Sequence, residues 1–187
     1  MSVDIINLEC FTSFYLEKDQ AAVCGIVLSD GEKKRPFFKL KPEGDYLNGL
    51  LELIIERIQY LKGKLADEAI HFDVHVHHKN KNFKTALDKV IKAANTARGY
   101  KGDVRDNIIK HTLIRKDYHK PACYEKMTEL AKLLIETNDP YHRVSITTCG
   151  DSRSSDQLAA YTACQGAWND LRAAISPDAA QCPVPVN

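Results

Sequence analysis

The sequence of 187 residues lacks several features that would place it in a large class of proteins. No apolar run approaches the roughly 18 residues of a membrane-spanning helix, so we expect no such span. The first residues lack a charged segment followed by an apolar stretch, and the six cysteines include no C-x-x-C pair. We therefore expect neither a secretory signal nor a zinc site of closely spaced cysteines, and we expect a cytoplasmic protein with reduced thiols.

Common nucleotide-binding and nucleophile motifs are missing as well. The sequence has no P-loop, no G-x-G-x-x-G after a strand and no G-x-S-x-G elbow. With 44% hydrophobic and 27% charged residues, the composition is that of an ordinary globular chain. We predict a single domain over residues 1–175, followed by a flexible tail at 176–187 that contains proline.

Charge is unevenly distributed along the chain. The whole sequence has a net charge of +1, but residues 79–120 contain twelve Lys and Arg and only four acids. A basic segment on a nearly neutral protein favours binding of a polyanion, whereas the simpler interpretation is a solvated lysine-rich helix face. The candidate nucleic-acid-binding residues are Lys84, Lys89, Lys92, Arg98, Lys101, Arg105, Lys110, Arg115 and Lys116.

The predicted elements begin with three strands and continue with alternating helices and strands. Residues 3–15 are apolar on much of both faces, which indicates a central strand. Strands at 21–28 and 33–41 follow, joined at a hairpin signal, Asp30-Gly31. Two more strands are predicted at 69–76 and 142–149, and helices at about 47–61, 82–97, 103–111, 122–136 and 154–174. This order predicts an α/β fold with a mixed sheet and helices on both faces.

Four carboxylates fall at informative places in this plan. Glu9 lies in the first strand, Glu52 on the first helix, Asp73 in the fourth strand and Asp156 at the start of the last helix. Acids that meet on one face repel one another unless a divalent cation neutralises them, and Mg²⁺ prefers such oxygen ligands. The alternative for Asp73 is a partly exposed strand residue paired with a histidine or a lysine.

These positions resemble the ribonuclease H-like superfamily, over roughly residues 3–174. Residues 48–53 (NGLLEL) are similar to the family's Asn-Arg-Met-Glu-Leu stretch, and 71–74 (HFDV) to its Ser-Thr-Asp-Ser stretch. Residues 154–159 (SSDQLA) are similar to its Cys-Asp-Glu-Leu-Ala stretch. The resemblance implies a five-stranded mixed sheet, catalytic and metal-binding roles for Glu52, Asp73 and Asp156, and a basic helical handle at 79–120.

The chain departs from the family pattern at the first strand. Ser13 stands where the family has its first metal-bridging aspartate, and the glycine-rich stretch after that position is replaced by 14–18 (FYLEK). Glu9 has the same parity as Ser13 and is therefore the candidate replacement as a catalytic metal ligand. The histidine that the family carries before the last helix is also missing, since 150–152 (GDS) occupy that region.

Three histidines flank Asp73 on the same face of its strand. His71, His75 and His77 alternate with apolar residues, and alternate strand positions can chelate a transition metal. The competing interpretation is that these histidines pair with acids near the end of the sheet. The sequence leaves their role open.

The resemblance implies a nuclease that hydrolyses phosphodiester bonds in RNA or an RNA/DNA hybrid with Mg²⁺ or Mn²⁺. The alternative, which the missing aspartate favours, is a catalytically impaired module that binds nucleic acid or protein. A phosphoester enzyme with a smaller substrate, such as a nucleotide, is a third hypothesis.

Overall fold

The computed structural model describes residues 2–17, 21–65, 69–114, 121–150 and 155–175. They form β1 (Asp4–Glu17), β2 (Ala21–Ser29), β3 (Lys34–Lys41), α1 (Tyr46–Lys64), β4 (Ile70–His77), α2 (Lys81–Ala97), α3 (Gly102–Leu113), α4 (Pro121–Glu136), β5 (Arg143–Cys149) and α5 (Ser155–Ile175). Each boundary lies within a few residues of its prediction. Within these ranges no helix has the length and apolar character needed to cross a membrane. The predicted tail lies outside the described residues.

The five strands form one mixed sheet in the order β3-β2-β1-β4-β5. The first three strands pair antiparallel, as the hairpin signal predicted, whereas β4 runs parallel to both β1 and β5. Strand β1 is central, as its apolar faces indicated. This order and these directions are the topology of a ribonuclease H-like sheet, so the predicted fold class is confirmed.

Helices cover the two faces of the sheet unequally. Helix α1 packs on β2 and β3 from one side and contacts α4, while α5 packs on β1, β2 and β3 from the other. Strand β2 lies between them, and residues Ala22–Ile26 are fully buried. We call the side of the sheet that α1 covers the α1 face, and the other side the α5 face.

Close contacts at two glycines show how tightly both faces are packed over β2. A Cβ atom added to Gly49 of α1 would collide with Cys24 and would lie 2.8 Å from Cγ of Lys41. A Cβ atom added to Gly25 of β2 would collide with Cys164 of α5 and would lie 2.9 Å from the Phe38 ring. Cys24 therefore points to the α1 face and Gly25 to the α5 face.

Strand β4 alternates strictly between these faces. Ile70, Phe72, Val74 and Val76 are buried in the core on the α1 face. His71, Asp73, His75 and His77 are partly exposed on the α5 face. The parallel register places β5 residues of matching parity beside them, with Asp73 next to Ser145 and His77 next to Cys149. A polar, partly open surface therefore continues across β4 and β5.

The basic segment is largely helical in its described part, residues 79–114. Within this segment, the side-chain oxygen of Asn80 caps α2 by accepting from Asn82 N at 2.9 Å. The side chain of Asp45 caps α1 in the same way, accepting from Asn48 N at 3.2 Å. Helix α3 packs against α2 and α4. The predicted handle thus belongs to the helical layer, and its residues Arg115 and Lys116 lie outside the described residues.

Candidate functional site

A cavity opens where β4 ends and β1 continues. Strand β1 runs on past its last pairing with β4, at Phe11 and His77, as far as Glu17. Residues 12–16 of β1 line a cavity of about 330 Å³ together with Leu50, Lys79, Asn80, Phe83 and Tyr161. In open α/β sheets, ligands bind at the carboxyl ends of the strands where neighbouring connections diverge. The cavity occupies that kind of position.

The walls of this cavity combine aromatic surface with one cation. Phe14 stacks on Tyr46 with 3.9 Å between ring centroids, and the ammonium group of Lys79 lies 5.3 Å from the Tyr161 ring centroid. Such a mixture suits a planar group that carries negative charge. Sequence reasoning missed the cavity, because its lining comes from four separate elements and the α2 cap.

Glu9 and Asp73 lie on the α5 face, on neighbouring strands. Asn7 of β1 pairs with Asp73 of β4, and Glu9 lies two residues further along β1 on the same face. The Glu9 carboxylate forms a hydrogen bond with Nε2 of His77. Asp73 Oδ1 accepts a hydrogen bond of 2.7 Å from Ser145 Oγ and lies 3.5 Å from Nη2 of Arg143. Asp73 is therefore a partly exposed, paired strand residue, as the alternative expected, but its charged partner is an arginine and not a histidine or a lysine.

Glu52 lies on the opposite, α1 face. Its carboxylate accepts from Lys41 Nζ at 3.1 Å and lies 3.3 Å from Lys39 Nζ, both on edge strand β3. Burial raises the pKa of the Glu52 carboxyl, but the hydrogen bond and charge of Lys41, with those of Lys39, outweigh it and hold the pKa below its ordinary value. Glu52 is thus an ionised group neutralised by lysines.

Asp156 lies at the start of α5 and pairs with Lys34, the first residue of β3. Its side chain is 34% exposed. An acid in the first turn of a helix is also favoured by the helix dipole. Its described ion pair therefore explains this residue without a metal.

The structure therefore does not bring the four predicted ligands into one cluster. The sheet lies between Glu52 and Asp73, and Asp156 is held by the β3 edge. Within the described ranges, no group of three or more His, Cys, Asp or Glu side chains could hold a metal ion. The side chains present do not fit a shared Mg²⁺ or Mn²⁺ site. This was not predictable from the sequence, because the apolar stripe of α1 does not show which strand the helix packs on.

The three histidines of β4 have separate partners. Nε2 of His71 lies 3.2 Å from the carbonyl oxygen of Pro140, and Nε2 of His75 lies 3.4 Å from Oδ1 of Asn7. His77 pairs with Glu9. The hypothesis of histidines pairing with acids near the sheet end applies to His77, whereas the other two bond to neutral oxygens.

The predicted nucleic-acid-binding residues divide into paired and exposed cations. Lys84 forms an ion pair of 2.7 Å with Asp88, and Arg105 lies 3.4 Å from Asp106. Lys89 is partly buried. The exposed members are Lys92, Arg98, Lys101 and Lys110, and none of the ion pairs found in the described part of the chain involves them.

Arg98 also takes part in a second cavity. This cavity, about 150 Å³, lies between α2, α4 and β5, and its lining includes Arg98, Asn95, Arg143 and Ser145. Nε of Arg143 is buried without a hydrogen-bond partner among the described residues. Nη2 of Arg143 lies 3.5 Å from Asp73 Oδ1, so the cation of this lining without an ion pair among the described residues is Arg98. A guanidinium group at a small cavity is suited to a phosphate group. Arg143 was not among the predicted residues, since only the fold places β5 beside the end of α2.

Comparison with protein-family models and with curated proteins finds no match for this chain.

Proposed function

We propose that this chain belongs to the ribonuclease H-like superfamily and acts as a module that binds nucleic acid, RNA or an RNA/DNA hybrid. The observation that carries the proposal is the cavity whose lining includes Arg98 and Arg143. The exposed Lys92 and Lys101 lie within six residues of Arg98 in the sequence. The cavity offers a phosphate subsite, and the flanking lysines extend positive charge along the end of α2 and into α3.

The placement of the acids favours this binding role over the nuclease hypothesis. Two-metal hydrolysis requires carboxylates that hold both ions at one reacting phosphate. Glu52 and Asp73 lie on opposite faces of the sheet, and Lys39 and Lys41 already neutralise Glu52. Metal-dependent cleavage stays a prediction from the family resemblance, with no support from the geometry.

The proposal is tested by the salt dependence of binding. Fluorescence anisotropy with labelled single-stranded RNA and with a hybrid would give the observed association constant at several salt concentrations. Replacing Lys92, Arg98 and Lys101 together by Gln removes up to three phosphate contacts, so the slope of log K against log salt should flatten by about 2 to 3. At low salt the same variant should bind more weakly than the unaltered protein.

A matched variant separates a local surface from overall charge. Lys33, Lys62 and Lys64 are exposed elsewhere on the molecule, and replacing them by Gln changes the net charge by the same amount. The proposal expects this control to keep the original slope. Equal flattening by both triple variants, or absence of binding at every salt concentration, would reject the α2 surface as the nucleic-acid interface.

The cavity itself has a sharper test. Arg98→Lys keeps the charge but loses the planar fork that binds two phosphate oxygens at once. We expect weaker binding with an almost unchanged salt slope. Binding equal to that of the unaltered protein would mean that Arg98 contributes charge alone.

A further inference from the structure

Strands β4 and β5 bring a cysteine beside a histidine at their carboxyl ends. The parallel register pairs His77 with Cys149, and paired residues of neighbouring strands point to the same face. Neighbouring strands lie about 4.8 Å apart, so the two side chains stand next to each other on the α5 face. This neighbourhood was not predictable from the sequence, because it depends on the pairing of two strands that are far apart in the chain.

The histidine is held in one orientation by two contacts. Its ring stacks on Phe11 with 4.7 Å between centroids and 16° between planes. Its Nε2 atom forms the hydrogen bond with the Glu9 carboxylate. A carboxylate offers only acceptors, so in neutral His77 the Nε2 atom carries the proton and the lone pair is on Nδ1.

The Nδ1 atom of His77 is buried and has no hydrogen-bond partner among the described residues. An unpaired buried acceptor is costly. Cys149, the register partner of His77, carries an S–H donor but makes no hydrogen bond to Nδ1 in this structure, so the contact has to form as the thiol turns towards the ring. Nucleophile, base and a third group that orients the base form the pattern of a base-activated nucleophile. The register places Cys149 beside His77, and the hydrogen bond to Glu9 supplies the group that orients the base.

Cys149 also differs from the other described cysteines in access. Cys10, Cys24, Cys123 and Cys164 are buried, and burial is the largest cause that raises the pKa of each of these thiols to about 12. Cys149 is partly exposed. Burial and, second, the negative charge of Glu9 raise the pKa of its thiol above the ordinary value. The thiol therefore needs a base to take its proton as it reacts.

We propose that Cys149 is a covalent modification site for small carbon electrophiles, with His77 as its general base and Glu9 as the positioning residue. In the step, sulfur attacks the electrophilic carbon and a C–S bond forms while the bond to the leaving group breaks. The thiol proton passes to Nδ1 of His77 and later to solvent, and the leaving group departs with the electron pair of the broken bond. This site lies at the carboxyl ends of β4 and β5. The proposed nucleic-acid surface is instead formed around the end of α2.

Iodoacetamide is the probe, and the rate of carbamidomethylation at each cysteine is followed by peptide-resolved mass spectrometry of the native full chain. Cys149 should react before the four buried cysteines, and Cys182, outside the described residues, is quantified separately. His77→Gln should slow Cys149 at least about tenfold, since general bases commonly contribute more than that.

The direction in which Glu9→Gln changes the alkylation rate of Cys149 distinguishes two roles for Glu9. If Glu9 only repels the thiolate, removing its charge lowers the thiol pKa and Cys149 reacts faster. If Glu9 orients the base, the same change slows the reaction. His71→Gln, on the same strand and face, is the matched control and should leave the rate unchanged.

The two variants are independent readouts, each checked for native circular dichroism. A slower Cys149 in both, with the control unchanged, supports the proposal. A faster Cys149 in folded Glu9→Gln, or an unchanged rate in folded His77→Gln, overturns it.

Discussion

The two faces of strand β4 have opposite characters although they belong to the same eight residues. On the α1 face, Phe72, Val74 and Val76 are buried beneath the helical layer. On the α5 face, Asp73, His75 and His77 are partly exposed, because α5 packs mainly on the antiparallel half of the sheet. The α1 face of β4 therefore contributes packing to the core, whereas the side chains on its α5 face remain accessible to solvent.

Removing a large side chain from the α1 face should have the largest effect. Phe72→Ala removes a ring that is 5% exposed, and buried Phe→Ala changes cost about 3–5 kcal/mol of the free energy of unfolding. The adjacent His71→Ala, on the open face, should cost less than about 1 kcal/mol. Urea denaturation of both variants checks this. Similar losses at the two positions would contradict the division between the faces.

Adding a methyl group between α1 and β2 should have the next largest effect on the free energy of unfolding. Gly49→Ala forces a methyl group against Cys24 and Lys41, and such overpacking costs about 1–3 kcal/mol. Gly63→Ala in the same helix meets no atom within 4 Å and should stabilise the protein by up to about 1 kcal/mol. The two melting temperatures should thus move in opposite directions. A gain at both positions would show that α1 can shift away from β2.

The order of strands and helices was predictable from the sequence because it is encoded locally. The alternation of β4, the Asp30-Gly31 hairpin and the stripe of leucine and isoleucine on α1 each depend on neighbours within a few residues. The site was not predictable in this way. The lysines that contact Glu52 come from β3, so that contact depends on where α1 packs on the sheet. The thiol beside His77 comes from β5, so that neighbourhood depends on strand order and register.

Removing the charge of Glu52 should have the smallest of these effects on the free energy of unfolding. Glu52→Gln removes the charge that neutralises Lys39 and Lys41 and should cost about 1–2 kcal/mol near neutral pH. Because folding lowers the Glu52 pKa, this contribution is present above the ordinary value of 4.5 and is lost as the pH falls through the lowered pKa. The difference between the two proteins should therefore shrink in acid. Glu125→Gln, at an exposed position of α4, is the control and should show no such pH dependence.

Binding and cleavage measured in one reaction test the central claim most directly. Labelled RNA, DNA and RNA/DNA hybrid would each be incubated with the protein in Mg²⁺ and in Mn²⁺, with retention and strand integrity read from the same samples. The account predicts that RNA or the hybrid is retained intact and that Glu52→Gln leaves retention nearly unchanged. Asp73→Asn removes the carboxylate that pairs with Arg143, so it should not lower retention. Metal-dependent cleavage that both substitutions abolish to the same extent would contradict it, because it would require the two carboxylates to act at one site.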